Sequence, residues 1–304
     1  MKLTRKGKFF IIAGIILIII VGYAAFKIIH LNAAIHDSND NRVETKATKE
    51  KIKNSKPLSI AIFGVDSDAN RAKENMGQRT DTILIASINP KTKKTKLISV
   101  PRDMDVQVPG VKGKQKIAHA YAFGGPQKAI STLKQQLNVP IDGYITVDMD
   151  GFEKMINIFD GVTVKSNATF SYNGSSFKKG KSVTLKGEKA LNYVRSREQV
   201  GAGGDEGRTA RQRQIIDALA KSASDSFNIF KLNKVLKVSE QNVKTDLSLN
   251  DLKTIYTDYK YSARSIEKIS INGQNLIESD GIWYFEPDKT DLTNKIKAYK
   301  NNLK

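Results

Sequence analysis

From Pro57 onward the chain reads as short apolar runs separated by turn residues. PLSIAIFGVD, residues 57 to 66, predicts a buried strand that ends at Gly64-Val65-Asp66. TILIASI, residues 82 to 88, predicts a second strand, and Asn89-Pro90-Lys91-Thr92-Lys93 turns the chain into a third, TKLISV, residues 95 to 100. A polar link this short predicts an antiparallel hairpin between the second and third strands.

Beyond residue 100 the apolar period lengthens. Pro126 suits a first helical position before QKAISTLKQQL, and a strand, YITVD, precedes a helix near Phe152 to Ile158. GEKALNYV predicts a short helix and TARQRQIIDALAKSA a longer one. Strands and helices mixed without strict alternation predict an α/β (α+β) fold with a mixed, largely antiparallel central sheet flanked by helices. After about Ser226 the pattern blurs, although Ser248-Leu249-Asn250-Asp251 reads as a helix start with an acid in its first turn. Residues 226–304 are expected to form an accessory region beside a catalytic domain over 57–225.

The N-terminus changes the picture. After Lys2, Arg5, Lys6 and Lys8, no charge appears from Phe9 to Phe26. The run approaches the ~20 residues that cross a bilayer and exceeds the ~7–15 of a signal-peptide core. A single-pass anchor over 9–29 is expected, with the basic residues 1–8 in the cytoplasm, a polar linker over 30–56 and an extracytoplasmic body at the cell membrane. A cleaved signal ending near Asn32-Ala33-Ala34 is the rival reading.

There is no cysteine in the 304 residues, which removes disulfides, thiol catalysis and Cys-ligated zinc. Net charge is +19; residues 1–56 account for +7 of it, with 11 Lys/Arg against four Asp/Glu. A basic body beside a membrane favours anionic lipids, phosphate-bearing polymers or pyrophosphates as partners. Nucleic acid is not expected, given the compartment and the lack of a helix-turn-helix, zinc-finger or RNP-type signature. No GxSxG, HExxH or Walker A motif is present.

Charged groups gather at the predicted strand ends. Asp66 closes strand one, Arg79 and Asp81 open strand two, and Arg102 and Asp103 follow strand three. In an antiparallel arrangement all of these share one edge of the sheet. Two Asp oxygens with waters and a phosphate oxygen would suit Mg²⁺, whereas ordinary surface ion pairs are the plain alternative. In Tyr193-Val194-Arg195-Ser196-Arg197 an extended backbone would send both arginines to one side. In the next helix Arg208, Gln212, Ile215 and Leu219 form one stripe, so Arg208 and Gln212 should face inward. Asp205 can cap that helix and pair with an arginine. Arg211 and Arg213 lie off the stripe, either on a solvated face or with a role of their own, and His119 reads as structural. Inward arginines need an anion, from these Asp carboxylates or from a phosphate or pyrophosphate.

These stretches resemble the LytR-CpsA-Psr family of envelope enzymes. IAIFGVD, GQRTDTILIASINPKTKKTKLISVPRD, KIAHAYAFGG, ITVDMDGF, GVTV, LKGEKALNYVRSR and DEGRTARQRQ follow in the family's order from about residue 57 to 220. The resemblance implies a phosphotransferase that moves an anionic glycopolymer, wall teichoic acid or capsular polysaccharide, from an undecaprenyl-pyrophosphate carrier to peptidoglycan. The acceptor would be the C6 hydroxyl of N-acetylmuramic acid, and the product a phosphodiester. It further implies Mg²⁺ (or Mn²⁺) on Asp66 and Asp81, and a pyrophosphate head held by Arg79, Arg102, Arg195, Arg197, Arg208 and Gln212. Asp205 would orient the last arginine pair, and Asp81, Asp103 or the metal itself would assist the acceptor hydroxyl. Asp68, where the family often has an arginine, is a second candidate for the first metal position. A non-catalytic polyprenyl-phosphate-binding regulator and a lipid pyrophosphatase are the competing functions.

Overall fold

The computed structural model describes residues 45–66, 79–226, 229–277 and 281–304. The expected anchor over 9–29 and the alternative ligand Asp68 lie outside the described residues. Among the described residues no helix is long and apolar enough to cross a membrane.

The chain begins with α1 (Thr45–Lys53), β1 (Leu58–Asp66), β2 (Arg79–Asn89) and β3 (Lys94–Ser99). Two short strands, β4 (Asp105–Val106) and β5 (Gln115–Lys116), lead into α2 (His119–Leu137). Helix α2 leaves helical geometry at Gly124 and Gly125, and its second segment starts at Pro126, whose fixed φ suits a first turn. Next come β6 (Gly143–Asp148), α3 (Met149–Ile158), β7 (Val162–Lys165), β8 (Phe170–Tyr172), β9 (Ser175–Phe177) and β10 (Ser182–Leu185). Helices α4 (Gly187–Arg195), α5 (Gly204–Ser226) and α6 (Ile229–Asn242) precede β11 (Val243–Thr245) and α7 (Leu249–Tyr259). A 3-10 turn (Lys260–Arg264), β12 (Ile266–Ser270), the hairpin β13 (Gly273–Ile277) and β14 (Trp283–Pro287), and α8 (Lys289–Asn301) complete the described chain.

Six strands form the central sheet in the order β11-β6-β1-β2-β3-β12. Three of its five pairings are antiparallel, including the consecutive set β1-β2-β3, and β6 on β1 and β12 on β3 are parallel. The sheet is therefore mixed and mostly antiparallel. Strand β2 is apolar on both sides because both sides are covered. Ile83 and Ile85 point into a core with α2 and α8, while Leu84 and Ala86 pack toward Ile216 of α5. A separate apolar cluster joins α3, α4 and α5 to the small strand pairs, with the rings of Phe170, Phe177 and Tyr193 packed together at its centre.

Two boundaries differ from expectation. Helix α1 falls within the expected linker, yet Ile52 is buried against Leu58, Leu247 and Tyr259, so residues 45–56 belong to the body. The segment after 226, expected as an accessory region, supplies both edge strands of the central sheet, β11 and β12. Its last helix places Ile296 and Tyr299 in the main core, where Tyr299 Oη lies 2.7 Å from Ser59 Oγ. These contacts join residues more than 200 positions apart, which local periodicity cannot signal. Tyr299→Ala should destabilise the protein by about 3–5 kcal/mol. Denaturant unfolding of the variant against the parent measures this.

Candidate functional site

The antiparallel set β1-β2-β3 brings the predicted strand-end charges to one edge. Asp66 pairs with Arg79 in the ladder, and Asp81 follows two residues along β2. The side chains of Asp66 and Arg79 lie outside what is described; their placement is that of the backbone. Strand β3 ends beside Leu84 of β2, and Pro101-Arg102-Asp103 turns over the same edge. There Arg102 Nη1 donates to Asp81 Oδ1 at 2.6 Å, and Arg102 Nε lies 3.4 Å from Asp103 Oδ2. Lys116 Nζ approaches Asp103 Oδ1 at 2.9 Å. Both Asp103 oxygens thus face cations, whereas Asp81 commits one oxygen to Arg102.

Helix α5 lies over this edge with its N-terminus beside it. Arg208 and Gln212 are each only 8% exposed, and Ile215, further along the stripe, is in the core. Between helix and sheet edge lies a cavity of about 350 Å³ lined by Asp81, Arg102, Asp103, Arg208, Gln212 and Arg213. Its opposite wall comes from the C-terminal segment, with Ser270, Asn272, Asn275 and Phe285. No motif pointed to these four residues, because a parallel edge strand reaches the site only through the fold. A second cavity, of about 200 Å³, is almost entirely apolar, with Phe63, Phe152, Met155, Ile216 and Leu219 in its walls. Thr82 and Gln212 line both cavities, so the charged space adjoins the apolar one. The arrangement can hold a multiply charged anion joined to a hydrocarbon.

The pattern that defines the LytR_cpsA_psr family matches residues 23–301. The chain belongs to the LytR-CpsA-Psr family. It is 36% identical over 296 residues to a polyisoprenyl-teichoic acid–peptidoglycan teichoic acid transferase, TagU, of Bacillus subtilis strain 168, covering 96% of this chain and 94% of TagU. The similar TagU of Enterococcus faecalis strain V583 is 34% identical, with 98% of each chain covered. Among solved structures, B. subtilis TagV has a TM-score of 0.69 at 35% identity, covering 82% of this chain and 98% of TagV. A TagT structure bound to LIIa-WTA has a TM-score of 0.66 at 28% identity, covering 82% of this chain and 91% of TagT.

In this LytR-CpsA-Psr protein the arginines of residues 193–213 take three different environments, and several expectations need correction. Tyr193–Arg197 is not extended. The buried face Ala190, Leu191, Tyr193 and Val194 keeps α4 helical through Arg195, which turns Arg195 out to solvent. Arg197, half-buried, lies 3.8 Å from Glu198, and neither Arg195 nor Arg197 lines either cavity. Asp205 is the second residue of α5, with its side chain outside the described set. His119 sits at the start of α2 with Nδ1 3.3 Å from Gln115 Oε1, away from both cavity linings.

Arg211 is not on a solvated face: it is fully buried. Its guanidinium donates to the carbonyls of Tyr193, Ser196 and Ala202 and to Asn167 Oδ1, and its Cζ lies 4.6 Å from the centre of the Phe170 ring. Burial pulls its pKa down to about 10. Arg211 thereby closes both ends of the glycine-rich loop 196–203 against α5. Gly207 permits the approach, since a Cβ there would collide with the Ala202 carbonyl. Arg213 is also buried, at 7% exposed, and lines the charged cavity. Asp148 was missed as well. It caps α3 by accepting from the Gly151 N–H, lines the apolar cavity, and burial raises its pKa.

Arg211→Met should cost roughly 3–5 kcal/mol of stability, because it leaves several buried carbonyls without donors. Arg211→Lys should recover little, since an ammonium cannot reproduce the planar fork. Thermal and denaturant unfolding distinguish these outcomes from a variant such as Arg208→Ala, which should unfold close to the parent.

Proposed function

We propose that this protein is a membrane-anchored phosphotransferase that attaches an anionic glycopolymer, wall teichoic acid or capsular polysaccharide, to peptidoglycan. The donor is an undecaprenyl-pyrophosphate-linked polymer and the acceptor the C6 hydroxyl of N-acetylmuramic acid. The observation that carries this reading is the meeting of the arginine-lined and apolar cavities at Thr82 and Gln212. A lipid pyrophosphate has the same two-part character, a charged head directly bonded to a hydrocarbon. The TagU relatives, polyisoprenyl-teichoic acid–peptidoglycan teichoic acid transferases, carry out the same class of transfer.

In this reading Arg102 and Arg208 grip the pyrophosphate and Gln212 supports it at the junction. The first isoprene units lie against Phe63, Phe152, Ile216 and Leu219. The acceptor oxygen forms a bond to the sugar-linked phosphorus, the bridging P–O bond breaks, and undecaprenyl phosphate leaves. Phosphoryl transfer needs chiefly positioning and cationic stabilisation, which fixed guanidinium groups supply without reorganisation. Arg102 is held by Asp81 and Asp103, so its fork is oriented before substrate arrives. Asp103 is braced by Lys116, and Asp81 and Asp103 are the two acids of this edge beside the cavity for the acceptor proton.

The carboxylates also suit a divalent cation. Asp81 has one oxygen outside its bond with Arg102, and Asp66 is brought near it by the β1-β2 ladder. Such a donor set, completed by phosphate oxygens and water, fits Mg²⁺ or Mn²⁺, which would neutralise charge on the transferring phosphoryl group. Arg195 and Arg197 receive no role here. The anchor over 9–29 would keep the body at the outer face of the cell membrane, where the lipid carrier resides.

Asp81→Ala should abolish Mg²⁺-dependent joining of a lipid-linked donor to a peptidoglycan oligomer, read by mass, with the thermal unfolding of the parent retained. Full activity in that variant removes Asp81 from the mechanism. Arg208→Ala should weaken binding of a polyprenyl pyrophosphate by about tenfold to a hundredfold, as expected for hydrogen bonds to a charged group. Removing Arg213 should weaken it less.

A further inference from the structure

The function above leaves one buried cation and one buried hydroxyl unused. Arg213 is 7% exposed and lines the charged cavity, yet among the described residues its guanidinium makes no hydrogen bond and no ion pair. Only the charge of Glu206 acts on it through space, and burial lowers its pKa. Ser99 is 2% exposed, lines the same cavity, and its Oγ is buried with no hydrogen-bond partner among the described residues. A buried hydroxyl without a partner is costly, and Arg213 brings its guanidinium to the same cavity wall without an acceptor among the described residues, which leaves both groups available to a ligand.

The two lie beside each other. Lys268 Nζ contacts Asp217 Oδ2 at 2.7 Å, which fixes α5 against β12. One helical turn back from Asp217, about 5.4 Å, is Arg213. Two strand residues on from Lys268, about 6.6 Å in the same direction, is Ser270. Ser270 is the register partner of Ser99. A guanidinium and two hydroxyls therefore meet on one wall. Arg208 and Arg213, five residues apart on α5, project about 140° from each other around the helix, so they serve different parts of the cavity.

We propose that Arg213, Ser99 and Ser270 form a second anion subsite that takes a phosphodiester of the carried glycopolymer while the pyrophosphate is held by Arg102 and Arg208. The proposal rests on the glycopolymer reading above and adds which part of the donor this wall recognises. Charge selects the ligand. One guanidinium and two neutral hydroxyls, with the Glu206 carboxylate on the same cavity lining, suit at most a monoanion, whereas pyrophosphate carries more charge and belongs with the Arg102, Arg208 and metal side. The subsite would favour polymers with phosphate in the backbone over neutral chains and would fix the polymer's direction out of the cavity.

The test uses the full chain in detergent with two probes, inorganic pyrophosphate with Mg²⁺ and the small diester glycerophosphoglycerol, each followed by calorimetry. With pyrophosphate saturating, the diester should still bind. Arg213→Gln and Ser99→Ala should each weaken the diester about tenfold, as for one lost hydrogen bond to a charged group, and leave pyrophosphate within about threefold. Arg208→Gln should do the reverse. Ser99→Ala also guards against misfolding, since removing an unpartnered hydroxyl should leave the unfolding temperature equal or higher. Displacement of the diester by pyrophosphate, equal loss of pyrophosphate in Arg213→Gln and Arg208→Gln, or no saturable diester binding would each overturn the proposal. Arg213-dependent binding of N-acetylmuramate in place of the diester would also overturn it. Diester binding by the parent chain, if that chain binds no pyrophosphate, would sink the head-group reading and leave this subsite standing.

Discussion

A guanidinium taken out of water has to be met by oxygen atoms, and α5 takes three out of water within six residues. Arg211 is met by the protein itself, through three carbonyls and an amide oxygen. Arg208 and Arg213 face a cavity. The difference divides structure from function along a single helix. Arg211 makes the glycine-rich loop and α4 one unit with α5, and the other two arginines bring their charge to the cavity beneath it, where Asp81, Asp103, Glu206 and Arg102 also lie. Were Arg211 not satisfied internally, the loop that leads into α5 would have no fixed path, and the arginines on either side of it no fixed direction.

The opposite side of that space depends on a charge network. Asp81, Arg102, Asp103 and Lys116 alternate acid and base across the start of β2, the turn after β3 and the short strand β5. Each pair is partly exposed and contributes modestly to stability. Their value is in orientation: in the proposed function Arg102 would meet an incoming phosphate with its planar fork already aimed. Under the proposed function, the apolar cavity next to it would favour a lipid-linked over a free pyrophosphate. Burying a few isoprene units there would add affinity at roughly 25 cal/mol per Å² of apolar surface, without asking more of the charged groups.

Closure of the sheet by β11 and β12 ties the C-terminal segment to the chemistry. Strand β12 runs parallel to β3 and ends at the same edge as Arg102, so Ser270, Asn272 and Asn275 become a cavity wall. A region without any recognisable motif thereby shapes the site, in keeping with the family match across residues 23–301.

The sequence by itself determined the parts governed by neighbouring residues. Apolar runs bounded by turn residues marked β1, β2 and β3, a helical period marked α5, and the inward stripe Arg208-Gln212-Ile215 followed from helical spacing alone. The turn at Asn89–Lys93 predicted the hairpin, and with it the shared edge for Asp81 and Arg102. Only the tertiary structure decided what each direction meant. Arg195 turned outward because α4 continues one residue further than the charged tail of its pattern shows. Arg211 and Arg213, off the stripe, were buried because distant segments close over them: loop 196–203 and Asn167 over one, the β3–β12 edge over the other. Burial is a property of facing surfaces, and periodicity describes only one of the two.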